Sequence, residues 1–497
     1  MSEIENDGGN EAAGRGGALV QFLARALVYL ALLAIPLTLI GHYRYLPFDD
    51  CMRHAAKAVS GRDWTDVLVL RPDVTLDQHP GWHALLGAIH RALDADSTFL
   101  VVVSYAALFL LVVYAPMPAF RRPEAWAASL LLACLAAPMS FLFRLTRGRP
   151  YLFSEACLLV LLFLWNAFSG SLGLCAVTAG LVALTVWIHG SWYLWALPVA
   201  AFFLAGSRRK GFRFAAAVAA GIAAGALAAG HPAAYLWQQL QHAMLAFGNG
   251  VSASVLVGEF GPSSGWAGYL ALAGLVLVFH RLLTGAWVRP GVEPAAPALA
   301  GLGWLAGLVV FRFWGEWGLA AALFWIALQI EDILAALAPE PGSGRRFAMA
   351  AGLACALMLT GVGDHDARWS GGRAVRPRAP GAPSAPIPGE GDSAELMPGP
   401  GGILYNSEMS VFNSLFFRNP MAQWKYAYGF ESGIMTPENL AVLRDIQSRR
   451  GDWNAYRPWV ERLRAVDRIA VVSAAKPDIP ELEWRELEPR LWIGRKP

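Results

Sequence analysis

Apolar residues run in long blocks along this chain, broken by short polar stretches, and the blocks fall at approximately 24–42, 98–116, 126–143, 151–168, 171–188, 191–206, 212–230, 265–281, 295–312, 318–336 and 347–363. A helix needs roughly 20 residues to cross the hydrocarbon core at a rise of about 1.5 Å each. The pattern therefore predicts eleven spans and a polytopic α-helical membrane protein. Between the first two blocks the period changes. Cys51–Ser60 and Trp82–Leu93 carry apolar residues three and four apart among polar ones, as in Leu85, Leu86, Ile89 and Leu93. These read as two amphipathic helices lying along the membrane surface, joined by 61–80.

Basic residues set the expected orientation. With the N-terminus inside, Arg121 and Arg122, then Arg208, Arg209, Lys210 and Arg213, then Arg281 and Arg289, then Arg345 and Arg346 all fall in inner segments. This is the positive-inside pattern. It puts the loop 43–97, the loop 231–264 and the C-terminal region outside, in a multi-pass cell or inner membrane with a cytoplasmic N-terminus. The acidic start, MSEIENDGGNEAAGRGG, is unlike a cleavable signal, so the first span is expected to be a retained anchor.

The membrane-embedded part is assigned to 1–363. Residues 364–400 form a boundary and linker, whose RPRAPGAPSAPIPGEG run is too rich in Pro and Gly for a helix or a central strand. In 401–497, strands at Gly402–Tyr405, Asp467–Val472 and Leu491–Ile493 accompany helices from Thr436 to about Arg449 and over Ala455–Leu463. Thr436-Pro437-Glu438 supplies the N-cap and first turn of the earlier helix. Alternating strands and helices predict a small extracytoplasmic α/β module that folds as a unit, without a nucleotide-binding loop.

Composition agrees with the pattern. The 497 residues are 56% hydrophobic and 15% charged, with mean hydropathy +0.41. A soluble chain carries about a quarter of its residues as charges. A net charge of +3 with basic residues at segment ends points to topology and not to a nucleic-acid partner. Cys51, Cys134, Cys157, Cys175 and Cys355 have no metal-ligand spacing, and the four of them that lie in apolar blocks are expected to be buried thiols.

Candidate chemistry gathers on the outer side. Asp49 and Asp50 follow the first span, and His79 and His83 stand at the second surface helix. Arg144, Arg147 and Arg149 crowd a short turn that topology signalling would leave uncharged outside. Local anion binding explains them, as does pairing with Glu155 or with lipid headgroups. His189, Glu259 and the pair Arg312/Glu316 share the outer face. Aromatic residues beside them belong at headgroup depth for amphipathic reasons alone. The glycine-rich run Phe247–Gly265 suggests a mobile cover. Such a set suits a lipid-linked sugar donor: a carboxylate can deprotonate an acceptor hydroxyl or hold a divalent cation, while arginines neutralise a departing phosphate.

Phe48-Asp49-Asp50 at the head of the first outer loop, together with His79-Pro80-Gly81-Trp82-His83-Ala84-Leu85-Leu86, resembles the GT-C-fold superfamily of polyprenyl-phosphate-sugar-dependent membrane glycosyltransferases. The second element is similar to that family's His-Pro-Pro-Leu type, with Gly81 in place of a proline. The specific part of the resemblance covers roughly 43–93. It implies a GT-C-like fold, a catalytic or metal-linked Asp49 or Asp50 with Mg or Mn as the candidate cation, and later acidic residues to which Glu259 and Glu316 correspond. The implied function is inverting transfer of a sugar from a polyprenyl-phosphate donor to an extracytoplasmic glycan, lipid or protein acceptor. Membrane lipids and an envelope-complex protein are further partners on this reading. A transporter or flippase for a lipid-linked substrate is the alternative, although no internal repeat supports it. A non-catalytic envelope-assembly subunit is another.

Overall fold

The computed structural model describes residues 7–43, 45–47, 50–136, 141, 144–168, 171–205, 208–248, 262–263, 265–284, 294–338, 342–362 and 395–497. Asp49, Glu259, Arg289 and the Pro/Gly-rich linker lie outside them.

Each of the eleven apolar blocks coincides with a helix. In chain order, α1 is Asp7–Gly41, followed by α2 (Asp50–Ser60), α3 (Trp64–Val67), α4 (Pro80–Leu93), α5 (Ser97–Tyr114) and α6 (Pro123–Ala136). Next come α7 (Tyr151–Ala167), α8 (Leu172–His189), α9 (Ala196–Leu204), α10 (Arg208–Ala228) and α11 (Pro232–Gly248). The helical part closes with α12 (Trp266–Leu283), α13 (Ala295–Gly307), α14 (Phe311–Leu337) and α15 (Gly344–Val362). Six helices are long and apolar enough to cross a bilayer, and five shorter apolar helices accompany them. The chain is thus a helical protein of polytopic membrane type. Leu272, Leu275, Val276 and Phe279 on α12 remain exposed, an outward apolar surface that suits lipid and not water.

The charged residues separate to the two ends of α14, which at 27 residues spans about 40 Å. At its far end Glu331 accepts the Arg122 backbone N–H (2.8 Å), and Asp332 pairs with Arg281 (2.5 Å). Beside them Arg346 grips Glu124 through Nε (2.5 Å) and Nη2 (3.4 Å), with both side chains buried. Several arginines on which the expected orientation rests are therefore also held by carboxylates, which a count of positive charge does not register. At the near end, Arg312 meets Glu316 at 2.7 Å inside a π-helical turn, Trp314–Gly318.

The C-terminal region is an α/β module of five strands, β1 (Ile403–Asn406), β2 (Lys425–Tyr426), β3 (Arg468–Val472), β4 (Glu483–Glu488) and β5 (Leu491–Arg495), ordered β2-β1-β3-β5-β4. The first three are parallel to one another, while β5 runs antiparallel to β3 and β4. Helices α16 (Met409–Arg418), α17 (Pro437–Ser448) and α18 (Arg457–Arg462) accompany the sheet. Thr436 caps α17 by accepting the Asn439 N–H. The short β2 and the polar β4 lack apolar runs that would mark them in the sequence.

Two expectations change. The loop helix α2 does not lie open on a membrane surface: from Cys51 to Ser60 all but one of its residues are buried, between the bundle and the module. Nor is the module self-contained. Its core of Phe412, Leu415, Phe416, Tyr426 and Phe430 is completed by Ala56, Trp64, Val67, Leu68 and Val74 of the outer loop. The backbone joins the two as well. Val69 N–H donates to Tyr426 O (3.0 Å) and Arg71 N–H to Ile434 O (3.0 Å), so the loop extends the β2 edge of the sheet. Of the four cysteines in apolar blocks, Cys134 and Cys157 are buried as expected, whereas Cys175 is half-buried and Cys355 is exposed on α15; Cys51 of α2 is buried as well.

Two outcomes follow from this packing. Arg450→Cys should react with a membrane-impermeant thiol reagent from outside and Lys210→Cys should not; reversed labelling would invert the orientation. Trp64, ringed by Phe412, Phe416 and Phe430, should cost about 3–5 kcal/mol when replaced by Ala, seen as earlier thermal unfolding of the module and faster proteolysis of 395–497.

Candidate active site

The helix α2 reads DCMRHAAKAVS, a sequence that would ordinarily face water, yet it is buried. Small residues allow this: Ala55 and Ala58 pack into the bundle core and Ala56 into the module core. The same burial takes Arg53, His54 and Lys57 out of solvent, which is costly unless each finds a partner or a task.

Asp50 opens α2 and receives two arginines. Arg53, one turn on, approaches Oδ1 at 3.2 Å, and Arg149 approaches Oδ2 at 3.5 Å from a turn about a hundred residues later in the chain. Burial alone would raise the Asp50 pKa, but the charges of Arg53 and Arg149, with Arg147 farther off, outweigh it and hold the carboxyl well below its usual range. Each Asp50 oxygen thus faces a guanidinium, Oδ1 that of Arg53 and Oδ2 that of Arg149. A divalent cation on that carboxylate would have to displace a guanidinium. Among the described residues no group of three His, Cys, Asp or Glu side chains converges as metal ligands.

The arginine turn divides its work. Arg149 and Arg147 face Asp50, whereas the Arg144 guanidinium lies over the rings of Tyr151 (4.8 Å) and Phe311 (5.0 Å) and within electrostatic reach of Glu155. Arg144 therefore connects the turn to the start of α14, where Arg312 and Glu316 pair.

The histidines form a second cluster beside the first. His83 Nδ1 lies 2.5 Å from Asp77 Oδ2, and His83 Nε2 lies 2.8 Å from His54 Nδ1. Asp77 Oδ1 accepts the His79 backbone N–H (3.0 Å) and the Trp64 indole N–H (3.2 Å). The His79 ring stacks on His189 with centroids 5.8 Å apart, and His189 in turn meets Ser154 (3.2 Å) and Ser191 (3.5 Å). Burial, reinforced by the Arg53 charge, pushes His79 down to about 3 and His54 well below its ordinary value. Burial also lowers His83 despite the opposing Asp77. Burial alone would raise Asp77, but His83 and the Asp77 hydrogen bonds hold it well below the carboxylate range.

Two glycines permit the approach. Gly190 ends α8 at φ +77°, and any Cβ there would stand 2.5 Å from Gln78 O. Gly81 faces Trp187 so closely that a Cβ would fall 2.5 Å from the indole. The residue that departs from the His-Pro-Pro-Leu pattern is thus the one against which α8 packs. Helix α11, within the stretch expected to be an outer loop, fixes the segment before His79. The Gln238 amide accepts from Thr75 and Leu76 N–H and donates to Leu76 O, and Tyr235 OH donates to Gln78 O and Val186 O.

The module closes the remaining side. The Arg53 guanidinium lies 4.2 Å above the Phe430 ring, and Glu431 accepts from the Gln78 amide (3.3 Å). Of the residues singled out in the sequence, Asp50, Arg147 and Arg149 come together, and His79, His83 and His189 form the adjoining cluster. Arg144, Arg312 and Glu316 extend it toward α14. Asp49 and Glu259 lie outside the described residues. Sequence reasoning missed Arg53, His54, Asp77, Phe430 and Glu431. The first two had a signal, since Asp50 and His54 are four apart on one helix; Asp77, two residues before His79, had a weaker one.

Comparison with known proteins gives no matching family model and no matching curated protein.

The depressed histidines predict that the loop and module are acid-sensitive. Asp50 and Asp77, with depressed pKa values, contribute stability that is lost only as pH falls below the carboxylate range. His54, His79 and His83 are depressed from 6.5, so the unfolded chain takes up protons that the folded chain refuses. Stability should therefore fall as pH drops through 6.5, by up to about 1.4 kcal/mol per pH unit for each proton so refused. Thermal unfolding of the loop and module between pH 7.5 and about 4.5 checks this, and His79→Gln should flatten the slope.

Proposed function

We propose that the chain is a GT-C-like membrane glycosyltransferase. It transfers a sugar from a polyprenyl-phosphate donor to an extracytoplasmic glycan, lipid or protein acceptor, with inversion at the sugar carbon. The observation that carries this reading is the meeting of Asp50 with Arg53 and Arg149 at one end of the bundle, under the outer loop and the module. Two distant stretches of sequence, each explicable as a surface feature alone, form one cationic group around a single carboxylate, with Arg53 buried and Arg149 and Asp50 half-buried. Guanidinium groups bind phosphate oxygens in pairs, and such a group at headgroup depth fits a phosphate whose apolar tail stays in the bilayer.

Orphaned polar atoms support the same reading. Arg53 Nη1, His79 Nδ1 and Glu316 Oε2 are buried with no hydrogen-bond partner among the described residues. Donors at Arg53 and acceptors or donors at His79 and Glu316 suit a polar ligand with phosphate and hydroxyl groups. In this reading Asp50 orients Arg53 and Arg149, so that both are in place when the phosphate departs with the bonding electron pair. The negative charge developing on that phosphate is stabilised by arginines that need no rearrangement. An acid to protonate the leaving group is not required, since the phosphate already carries the charge.

The test is transfer from a defined polyprenyl-phosphate sugar by purified protein. Arg149→Gln should weaken donor binding or turnover by about tenfold or more, and Asp50→Asn should lower turnover by releasing the two arginines. Arg208→Gln, an exposed charge removed at the other end of the bundle, should change neither. Normal donor binding and turnover in both outer variants would refute the phosphate site.

A further inference from the structure

We propose that His54 takes the proton from the acceptor hydroxyl, held for that task by Asp77 acting through His83. The inference deepens the glycosyltransferase reading and rests on it. It answers a question that reading leaves open, because both oxygens of the carboxylate at the head of α2 already face guanidinium groups, Oδ1 that of Arg53 and Oδ2 that of Arg149.

The tautomers follow one from another. Asp77 Oδ1 already accepts two N–H groups, from the His79 backbone and the Trp64 indole, and Oδ2 stands 2.5 Å from His83 Nδ1. An ionised carboxylate only accepts, so His83 Nδ1 is the donor. A neutral imidazole has one N–H, and His83 Nε2 is therefore a lone pair. His54 Nδ1, 2.8 Å away, must donate to it. That leaves the lone pair of His54 on Nε2, the nitrogen turned away from His83. The second proton that would break this order is disfavoured by burial of both rings.

The chain is placed for use. His54 is 1% exposed and stands one helical turn beyond Asp50, within electrostatic reach of Arg149. The charged and titratable groups that face it are Arg53, His79, His83 and Arg149, and those that face His83 are Asp77, Lys57, Arg53, His79 and His54 itself. Lys57 lies over the Trp64 ring (5.6 Å), and the Gln238 and Tyr235 contacts fix the segment 75–78 that carries Asp77. A hydrogen-bonded row with each partner held from behind keeps its tautomers when a substrate arrives.

The step balances without a further reactant. The acceptor oxygen forms its bond to the sugar carbon as its proton passes to His54 Nε2. The bond from that carbon to the phosphate oxygen breaks, and its electron pair leaves with the polyprenyl phosphate. The imidazolium formed at His54 keeps its Nδ1–H on His83, whose Nδ1–H remains on Asp77, so the buried positive charge is offset through the row. His54 is the catalytic base; His83 and Asp77 are positioning residues.

The experiment compares His54→Gln, His83→Gln and Asp77→Asn with wild type, measuring donor binding, turnover and its pH profile in the full-length protein. His54→Gln should lose about 100-fold or more in kcat while donor affinity stays within about threefold. Asp77→Asn should lose about tenfold and move the acidic limb of the profile to lower pH, a shift that a merely structural defect would not produce. Nitrogen-15 histidine spectra of wild type should show His54 protonated on Nδ1, an assignment lost in Asp77→Asn. Wild-type transfer with near-normal kcat in His54→Gln, or His54 protonated on Nε2, would overturn the base assignment alone. Wild type that binds the lipid donor and transfers nothing would overturn the glycosyltransferase reading and this step together. If His54→Gln does not fold, the Asp77→Asn profile decides: an unmoved acidic limb overturns the proposal.

Discussion

Burying the polar helix α2 is the constraint on which the rest of the structure depends. Its carboxylate, guanidinium, imidazole and ammonium groups leave water when the helix is enclosed between the bundle and the module, and each must then be answered from another element. Asp50 is answered by Arg149, His54 by His83, Lys57 by the Trp64 ring and Arg53 by the Phe430 ring. These four contacts join the arginine turn, the second loop helix, the loop between them and the C-terminal module. Removing one partner leaves a buried charge or donor uncompensated, and so the loop and the module are held together by the same groups that form the candidate site.

The bundle supplies the frame for this arrangement. At one end of α14, Arg122, Arg281 and Arg346 are tied to Glu331, Asp332 and Glu124; at the other, Arg312 and Glu316 sit in a π-helical turn beside the histidines. The far end is a set of ion pairs that fastens α6, α12, α14 and α15 together. Among the described residues both ends keep buried polar atoms without a hydrogen-bond partner, Arg281 Nε at the far end and atoms of Arg53, His79 and Glu316 at the near one.

The fold was legible where hydrophobic periodicity speaks. Each of the eleven apolar blocks overlaps a helix, although six and not eleven of these are long and apolar enough to cross a bilayer; the two loop helices fall at their expected places, and Thr436-Pro437 starts α17. The short β2, the polar β4 and the helix α11 were not, because β2 is only two residues long, β4 alternates charges on its exposed side, and α11 lies in a stretch read from its neighbouring glycines. The site was half legible. Asp50, Arg149, His79, His83 and His189 stood out as polar residues at apolar boundaries. His54 and Asp77 did not, since their importance lies in contacts of 2.8 and 2.5 Å with His83 that spacing alone does not specify. The module's part was misjudged for a physical reason: a Pro/Gly-rich linker suggests independence, but it says nothing about which apolar face the tethered module buries.

On the proposed reading the arginines around Asp50 and the neighbouring histidines serve bond breaking at a lipid-linked phosphate, and not passage of an intact lipid across the bilayer. The direct measurement follows a sugar-labelled polyprenyl-phosphate donor in proteoliposomes containing the purified protein and an acceptor. The account predicts that label leaves the lipid, appears on the acceptor with inverted linkage, and leaves free polyprenyl phosphate in equal amount. Movement of the label between leaflets with its bond to phosphate unbroken would contradict it.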